Sequence, residues 1–227
     1  MMNQLPHNIK NLSAVGSDEV GVGDYLGPLV VTSVYVEASL IEKLQQLGVK
    51  DSKSMADKRI FAIAEAIKDL VSYKTVIFEN KHYNAMIEKG LNAHVVKSFL
   101  HNLTLTQLTH DLPTYPEYII VDEFASKANH FKYLNQLPKK QEILEKNLYF
   151  VKKGESVHIA VAAASILARQ AFITYMETTS EKLNIEILKG ASAKVDSCAK
   201  NVVKIHGESV FKDLCKWHFA NTKRVFD

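Results

Sequence analysis

The apolar positions of this chain fall into two rhythms. Leu29 to Val36 is a short, β-branched block that reads as a strand, and Ala14 to Val20 reads as another that pairs with it. Helical spacing takes over further on. Residues 39–47 suit a short helix closed by Gly48. Ile60, Ile63, Ala64, Ile67 and Val71 recur every three or four positions, predicting a helix from a capping box at Ser54–Asp57 to about Leu70. Tyr73 to Phe78 reads as a third strand. Asn80 to Lys89 and Leu91 to Thr109 read as two helices parted at Gly90. Tyr118-Ile119-Ile120-Val121-Asp122 is wholly apolar until its last residue, the pattern of a buried central strand carrying a functional group at its carboxyl end.

Lys127 to Leu134 is a short helix and Leu148 to Val151 a fifth strand. Val157 to Thr178, rich in alanine, is the strongest helix in the chain, with Glu155 and Ser156 at its amino end, where the helix dipole favours a carboxylate. Thr179 to Lys216 is helical, with breaks near Gly190 and Gly207. Together these elements predict an α/β protein: a leader over 1–13, a core over 14–180 and a basic helical extension over 181–227, all within one domain.

The corner between the first two strands holds the most informative chemistry. Gly16-Ser17-Asp18-Glu19-Val20-Gly21-Val22-Gly23-Asp24-Tyr25-Leu26-Gly27-Pro28 packs three acids and several glycines into one turn. Adjacent side chains on a regular strand point to opposite faces, so Asp18 and Glu19 can serve one site only if the strand ends or bulges there. Gly21 and Gly23 supply such freedom and let another backbone or a ligand approach. The glycine spacing nearly matches a dinucleotide fingerprint. That fingerprint must open a helix, whereas Leu29 to Val36 is β-prone. By itself the run fits a polar hairpin as well as it fits a site.

Composition narrows the class. With 227 residues and 47% hydrophobic content the chain can bury a sizeable core. No apolar run approaches the roughly 18–20 residues that cross a bilayer, and Met1 to Lys10 lacks a secretory apolar segment, so a cytoplasmic protein with no membrane partner is expected. Cys198 and Cys215 have no metal-ligand spacing and are expected as free thiols. The net charge is only +3, but Lys182 to Phe226 carries nine Lys and Arg against four acids. A basic surround beside clustered acids suits a metal site that receives a polyanion. His94 and His101, with no carboxylate near them in sequence, read as structural histidines.

Asp18 with Glu19, Asp122 and Glu155 all stand at the edges of the expected sheet. Converging carboxylates repel unless divalent cations lie between them, and hard oxygen ligands favour Mg²⁺ or Mn²⁺. Two such ions can activate a water and stabilise the leaving oxygen of a phosphodiester, which points to hydrolysis of a nucleic-acid strand.

At this point the motifs resemble a family. The glycine run, Asp51-Ser52-Lys53, Ile-Val-Asp122, Lys153-Gly154-Glu155-Ser156, Ala162 to Arg169 and His218 to Thr222 together look like a type 2 ribonuclease H, over about residues 14–224. Gly-Asp-Tyr after the second glycine and Glu155 as fourth acid mark ribonuclease HIII as the closer branch. The resemblance implies a ribonuclease H fold, with a central mixed β-sheet flanked by helices and a helical C-terminal region. It implies endonucleolytic cleavage of the RNA strand of RNA/DNA hybrids to 3′-hydroxyl and 5′-phosphate ends.

Carried over by motif, Asp18, Glu19, Asp122 and Glu155 are the catalytic, metal-binding carboxylates. Gly21, Val22 and Gly23 form the loop whose backbone reads ribose 2′-hydroxyls, and Ser52 and Lys53 lie near the substrate backbone. Tyr25, Ser165 and Arg169 are further positions facing either substrate or the protein interior. Lys189 and Lys194, with Lys200 and Lys204, extend a basic surface. The implied protein is a monomer with no organic cofactor. Members of this branch usually carry an amino-terminal domain similar to the TATA-binding protein, whereas only a short leader precedes Asp18. Incision at single ribonucleotides in DNA, as in ribonuclease HII, is the alternative activity. Resolvase-like cleavage of DNA and a catalytically silent hybrid-binding module are others.

Overall fold

A computed structural model describes residues 4–50, 52, 55–138 and 141–227. The strands are β1 (Ala14–Val20), β2 (Leu29–Val36), β3 (Ser72–Phe78), β4 (Ile119–Asp122) and β5 (Leu148–Val151). They form one five-stranded sheet in the order β3-β2-β1-β4-β5. β4 lies parallel to both neighbours: Val15 pairs with Ile119 and Ser17 with Val121, while Ile119 pairs with Leu148 and Asp122 with Val151. β1, β2 and β5 have the expected bounds.

The chain divides into two compact units. Unit 1 comprises Met1–Glu19, Val31–Val76 and His94–Gln170; unit 2 comprises Val20–Val30, Ile77–Ala93 and Ala171–Asp227.

In unit 1 the sheet is covered on both faces. Helix α1 (Ile41–Gln46) follows β2, and α2 (Asp57–Lys68) buries Ile60, Ile63, Ala64 and Ile67 as its spacing requires. Its N-cap is Ala56, with no side-chain cap; Ser54, on which the capping box rested, lies outside the described residues. In unit 2, α3 (Asn80–Glu88) follows β3. Helix α4 (Ala93–Asp111) packs on one sheet face, where Val15, Ile119 and Val121 meet Leu105 and Leu108. Helix α5 (Lys127–Leu134) adds Phe131 to that layer. The opposite face gathers Ala14, Ile120 and Val161 with Ile9. The alternation along β1 and β4 thus sends odd-numbered residues toward α4 and even-numbered ones to the other side.

Three expectations are corrected. The leader, read as a segment outside the core, is packed on it over its described part: Ile9 is buried, and the His158 ring nitrogen Nε2 lies 2.9 Å from the Leu12 carbonyl. The helix expected to run from Val157 is two elements. A single turn, α6 (Gly154–Val157), is separated from α7 (Ile159–Leu183) by His158 in an extended conformation, and Lys153 before it is left-handed (φ 54°). The break falls just ahead of the alanine run, whose helix propensity masks it. Lastly, α7 is, among the described residues, one helix whose length and composition would suffice to cross a bilayer. It is a core helix here, with 67% of its most apolar window buried inside the protein.

Unit 2 joins the glycine segment and α3 to the C-terminal helices α8 (Ala193–Leu214) and α9 (Ala220–Phe226). Helix α8 bends at Gly207, whose φ of 82° is outside helical range, where the sequence places a break.

Candidate active site

The site grows from the end of β1. The strand stays regular through Val20, so it neither ends nor bulges between Asp18 and Glu19 as expected. The two carboxylates accordingly face opposite ways. Ser17 and Glu19 reach α4, whereas Gly16 abuts the start of α7 and Asp18 interacts with Ser165 on that helix. A Cβ on Gly16 would lie 2.2 Å from the Val161 amide nitrogen, so only glycine lets α7 approach β1 this closely.

Asp18 is 6% exposed, and its carboxyl is pushed up to about 7. Burial is the main cause, the Glu19 and Asp122 charges add to it, and the Ser165 hydrogen bond offsets part. Asp122 ends β4, one position beyond Val121, which pairs with Ser17. Continuing that register brings Asp122 beside Asp18, on the same face of the sheet. The Gly154 amide donates to Asp122 Oδ1 at 2.8 Å, linking β4 to the turn that carries Glu155. Glu155 Oε2 is buried without a hydrogen-bond partner among the described residues.

Glu19 is held differently. His101 Nε2 lies 2.8 Å from Oε2, and Lys97 Nζ donates to Oε1 at 3.2 Å. Behind them Ser17 Oγ is 2.7 Å from His101 Nδ1, and Ser33 donates to Ser17 at 3.0 Å. Phe124 stacks on the imidazole with centroids 4.9 Å apart and lies 4.6 Å from the Lys97 ammonium. Burial pushes the Glu19 carboxyl up, but the His101 hydrogen bond and the charges of His101 and Lys97 outweigh it, leaving Glu19 below the ordinary carboxylate range. The reading of His101 as a histidine with no carboxylate beside it is therefore corrected. Sequence reasoning misses Lys97 altogether. The available signal is the spacing of four between these residues on α4, which puts two basic groups on one helix face.

Among the described residues no three His, Cys, Asp or Glu side chains already form a closed metal cage. The residues nevertheless suit a hard divalent ion. Asp18 is destabilised as an anion by burial and by its acidic neighbours, and Glu155 has a buried carboxyl oxygen with no partner among the described residues. A cation answers both needs with oxygen ligands alone.

The other expected contacts sort by burial. Ser52 is buried, its hydroxyl 2.8 Å from that of Ser165, so the Ser52-Ser165 pair backs Asp18. Arg169 Nη1 donates to the Ser52 carbonyl and Nη2 to Asp57 Oδ1 at 2.9 Å, which fastens this loop to α7. Asp51 and Lys53 lie outside the described residues.

In unit 2, Gly21 has φ of 94°, and the Asp24 amide donates back to its carbonyl at 3.3 Å, closing a turn with Val22 and Gly23 exposed at its tip. Tyr25, expected near substrate, is fully buried: its ring stacks on Phe219, meets Phe211 edge-on, and its hydroxyl lies 3.0 Å from Thr222 Oγ1. A side chain so enclosed packs the unit and cannot reach a sugar. Lys189, Lys194, Lys200 and Lys204 are all exposed.

The sheet order and the acids at the ends of β1 and β4 agree with the expected ribonuclease H fold, and comparison with known proteins gives the class. The family description "Ribonuclease HII" matches residues 15–222, and the chain belongs to that family. It is 42% identical to Ribonuclease HIII of Bacillus anthracis over 222 residues, 97% of this chain and 70% of that protein. Ribonuclease HIII of Bacillus mycoides (strain KBAB4) matches to the same extent. Among solved structures, Bst-RNase HIII in complex with Mn²⁺ superposes with a TM-score of 0.92 at 41% identity, covering 97% of this chain and 71% of that one. The RNase H3 of Aquifex aeolicus gives 0.71 at 25% identity, covering 91% and 71%. The protein is thus an enzyme of the ribonuclease H class, of the ribonuclease HIII type.

Proposed function

We propose that this protein hydrolyses the RNA strand of RNA/DNA hybrids endonucleolytically, leaving 3′-hydroxyl and 5′-phosphate ends, with Mg²⁺ or Mn²⁺ held by Asp18, Asp122 and Glu155 on one side of β1 and by Glu19 from the other side, one residue before the strand ends at Val20. The observation that carries this is geometric: Asp18 and Asp122 end up side by side on adjacent strands, and the Gly154 turn bonded to Asp122 carries Glu155, whose buried Oε2 has no hydrogen-bond partner among the described residues. When bound, two divalent ions supply a water activated as nucleophile and neutralise charge on the leaving oxygen. The chain's own groups hold the ligands in place. Ser165 hydrogen-bonds Asp18, the Gly154 amide orients Asp122, and His101 with Lys97 fix both oxygens of Glu19.

The glycine turn follows Glu19 by one residue in the chain. Val22 and Gly23 offer exposed amides there, which suits recognition of a 2′-hydroxyl, the group that separates RNA from DNA. The exposed lysines of unit 2 supply sequence-independent attraction to phosphates.

The test is cleavage of an end-labelled RNA/DNA hybrid with Mg²⁺, with Mn²⁺ and without metal, with mapping of the ends. Metal-dependent cuts within the RNA strand, abolished by Asp122→Asn while hybrid binding survives, are expected. Full activity in that variant would remove Asp122 from the metal site. Efficient incision of a DNA duplex at one embedded ribonucleotide, with the continuous hybrid left intact, would replace the proposed substrate.

A further inference from the structure

Unit 2 contains a buried ammonium with no carboxylate within salt-bridge distance among the described residues. Lys216 is 0% exposed, and its Nζ donates to the carbonyls of Asp24 at 2.7 Å and Gly27 at 2.9 Å. The centroid of the Tyr83 ring is 5.9 Å away. Burial lowers the ammonium to about 8, and the Asp24 and Cys215 charges pull it partly back. A lysine in such a place is costly unless its hydrogen bonds are needed, and methionine would fill the space more cheaply.

Both acceptors belong to the segment that closes the glycine turn. The same segment is held on every side. Lys216 N donates to the Tyr25 carbonyl at 2.9 Å and Gly27 N to the Leu214 carbonyl at 3.0 Å, the two bonds flanking an antiparallel bridge between Leu26 and Cys215. Asn80 Nδ2 reaches the carbonyls of Gly27 and Leu214 at 2.8 and 2.6 Å. Gly190 N donates to Asp24 Oδ1 at 2.6 Å, and Tyr25 N to the Gly190 carbonyl at 2.9 Å. By contrast the Val22 and Gly23 amides, at the tip, have no acceptor among the described residues and stand exposed. The base of the turn is saturated and its tip is left with two free donors.

We propose that Lys216 is the positioning residue of the glycine turn: by clamping the Asp24 and Gly27 carbonyls from beneath, it fixes the tip amides for a ribose hydroxyl and so sets the preference for RNA/DNA hybrid over DNA duplex. This rests on the turn being the ribose reader, as proposed above. Lys216 touches no substrate; it acts through the turn. Its buried positive charge also favours an electronegative oxygen at the tip.

The experiment uses the full chain in an Asp122→Asn background, so that substrate survives, and measures binding of a hybrid and of the DNA duplex of the same sequence. Lys216→Met keeps the length and removes the donors. It is expected to weaken hybrid binding about tenfold, leave duplex binding unchanged, and speed amide hydrogen exchange of residues 20–28 while that of α4 is unaltered. Gly21→Ala, whose Cβ would lie 2.1 Å from the Pro28 carbonyl oxygen, deforms the turn directly. Loss of hybrid preference in Gly21→Ala but not in folded Lys216→Met overturns the role of Lys216 alone. Wild-type preference in both overturns the turn as ribose reader. Should Lys216→Met not fold, exchange in the unaltered protein decides: slow amides at 25 and 27 beside fast ones at 22 and 23 are expected, and equally fast exchange throughout defeats the clamp.

Discussion

His101 Nε2 lies 2.8 Å from Glu19 Oε2, joining a helix to a strand residue 82 positions earlier. With Ser17 on the opposite ring nitrogen, the imidazole cannot rotate without losing one partner, so it fixes the carboxylate it touches. Groups that orient a metal ligand typically contribute about 10–100-fold in metal affinity. His101→Ala is therefore expected to weaken Mn²⁺ binding by roughly tenfold or more, measured by calorimetric titration of the protein without substrate, and His101→Gln to recover part of it. Equal affinity in the alanine variant would separate Glu19 from the metal.

Asp18 gives a pH dependence of defined sign. Its folded value of about 7 is above the ordinary carboxylate value of 3.8, so the fold binds this proton more tightly than the unfolded chain does. The stability it contributes is complete below about pH 4 and is lost as pH rises toward 7. At pH 8, without metal, the ionised group costs roughly 2–4 kcal/mol. Asp18→Asn should melt higher than the unaltered protein at pH 8 and metal-free, by several degrees, and show no such gain at pH 4. Adding Mn²⁺ should raise the melting point of the unaltered protein and barely move the variant. No stabilisation in Asp18→Asn at pH 8 would contradict the placement of the acids.

Much of this arrangement is legible because its signals are local. The β-branched run after Gly27-Pro28 sets β2, the apolar run Leu148 to Val151 sets β5, and the acid at the end of Ile119 to Val121 marks the carboxyl edge of β4. The alternation of a strand also states the difficulty with Asp18 and Glu19 correctly, but the resolution differs: the strand stays straight, and each acid is served by a different helix. Nothing local could show this. Glu19 meets Lys97 and His101, and Arg169 meets Asp57, only because the sheet brings distant segments together. The interruption at His158 is hidden by a helix-prone run, and Lys216 by lying among charged residues that read as a solvated face.

His130 is buried among Phe124, Phe131 and Phe150, and neither ring nitrogen has a hydrogen-bond partner among the described residues. Burial, with the nearby charges of His101 and Lys127, lowers it to about 3. Here the folded value is below the ordinary 6.5, so the contribution is present above about pH 6.5 and is lost as pH falls toward 3. Between pH 7 and 5 the loss is roughly 2 kcal/mol. His130→Leu should melt higher than the unaltered protein at both pH values and lose less on acidification, the difference between the two drops being about 4–8 °C. Identical acid sensitivity would show the ring to be protonated in the fold.

Gly16 tests the approach of α7 to the sheet. A methyl group there meets backbone atoms of Ala160 and Val161 at 2.2 to 2.6 Å, and neither can swing aside as a side chain would. Gly16→Ala is expected to destabilise by about 3 kcal/mol or more, read from urea unfolding, and to lower activity because Asp18 and Ser165 lie on the two elements forced apart. A loss under about 1 kcal/mol would mean that the helix shifts freely.

The exposed lysines of unit 2 are tested by salt. Each phosphate contact contributes about 0.9 to the slope of log affinity against log salt on duplex nucleic acid. Replacing Lys189, Lys194, Lys200 and Lys204 together by glutamine should flatten that slope for hybrid binding by roughly 2–4. Stability should hardly change, since the four side chains are exposed. The maximal rate at saturating hybrid should survive while the concentration needed to reach it rises. An unchanged slope would move the phosphate contacts elsewhere, whereas a reduced maximal rate with an unchanged slope would tie these lysines to the chemistry rather than to binding.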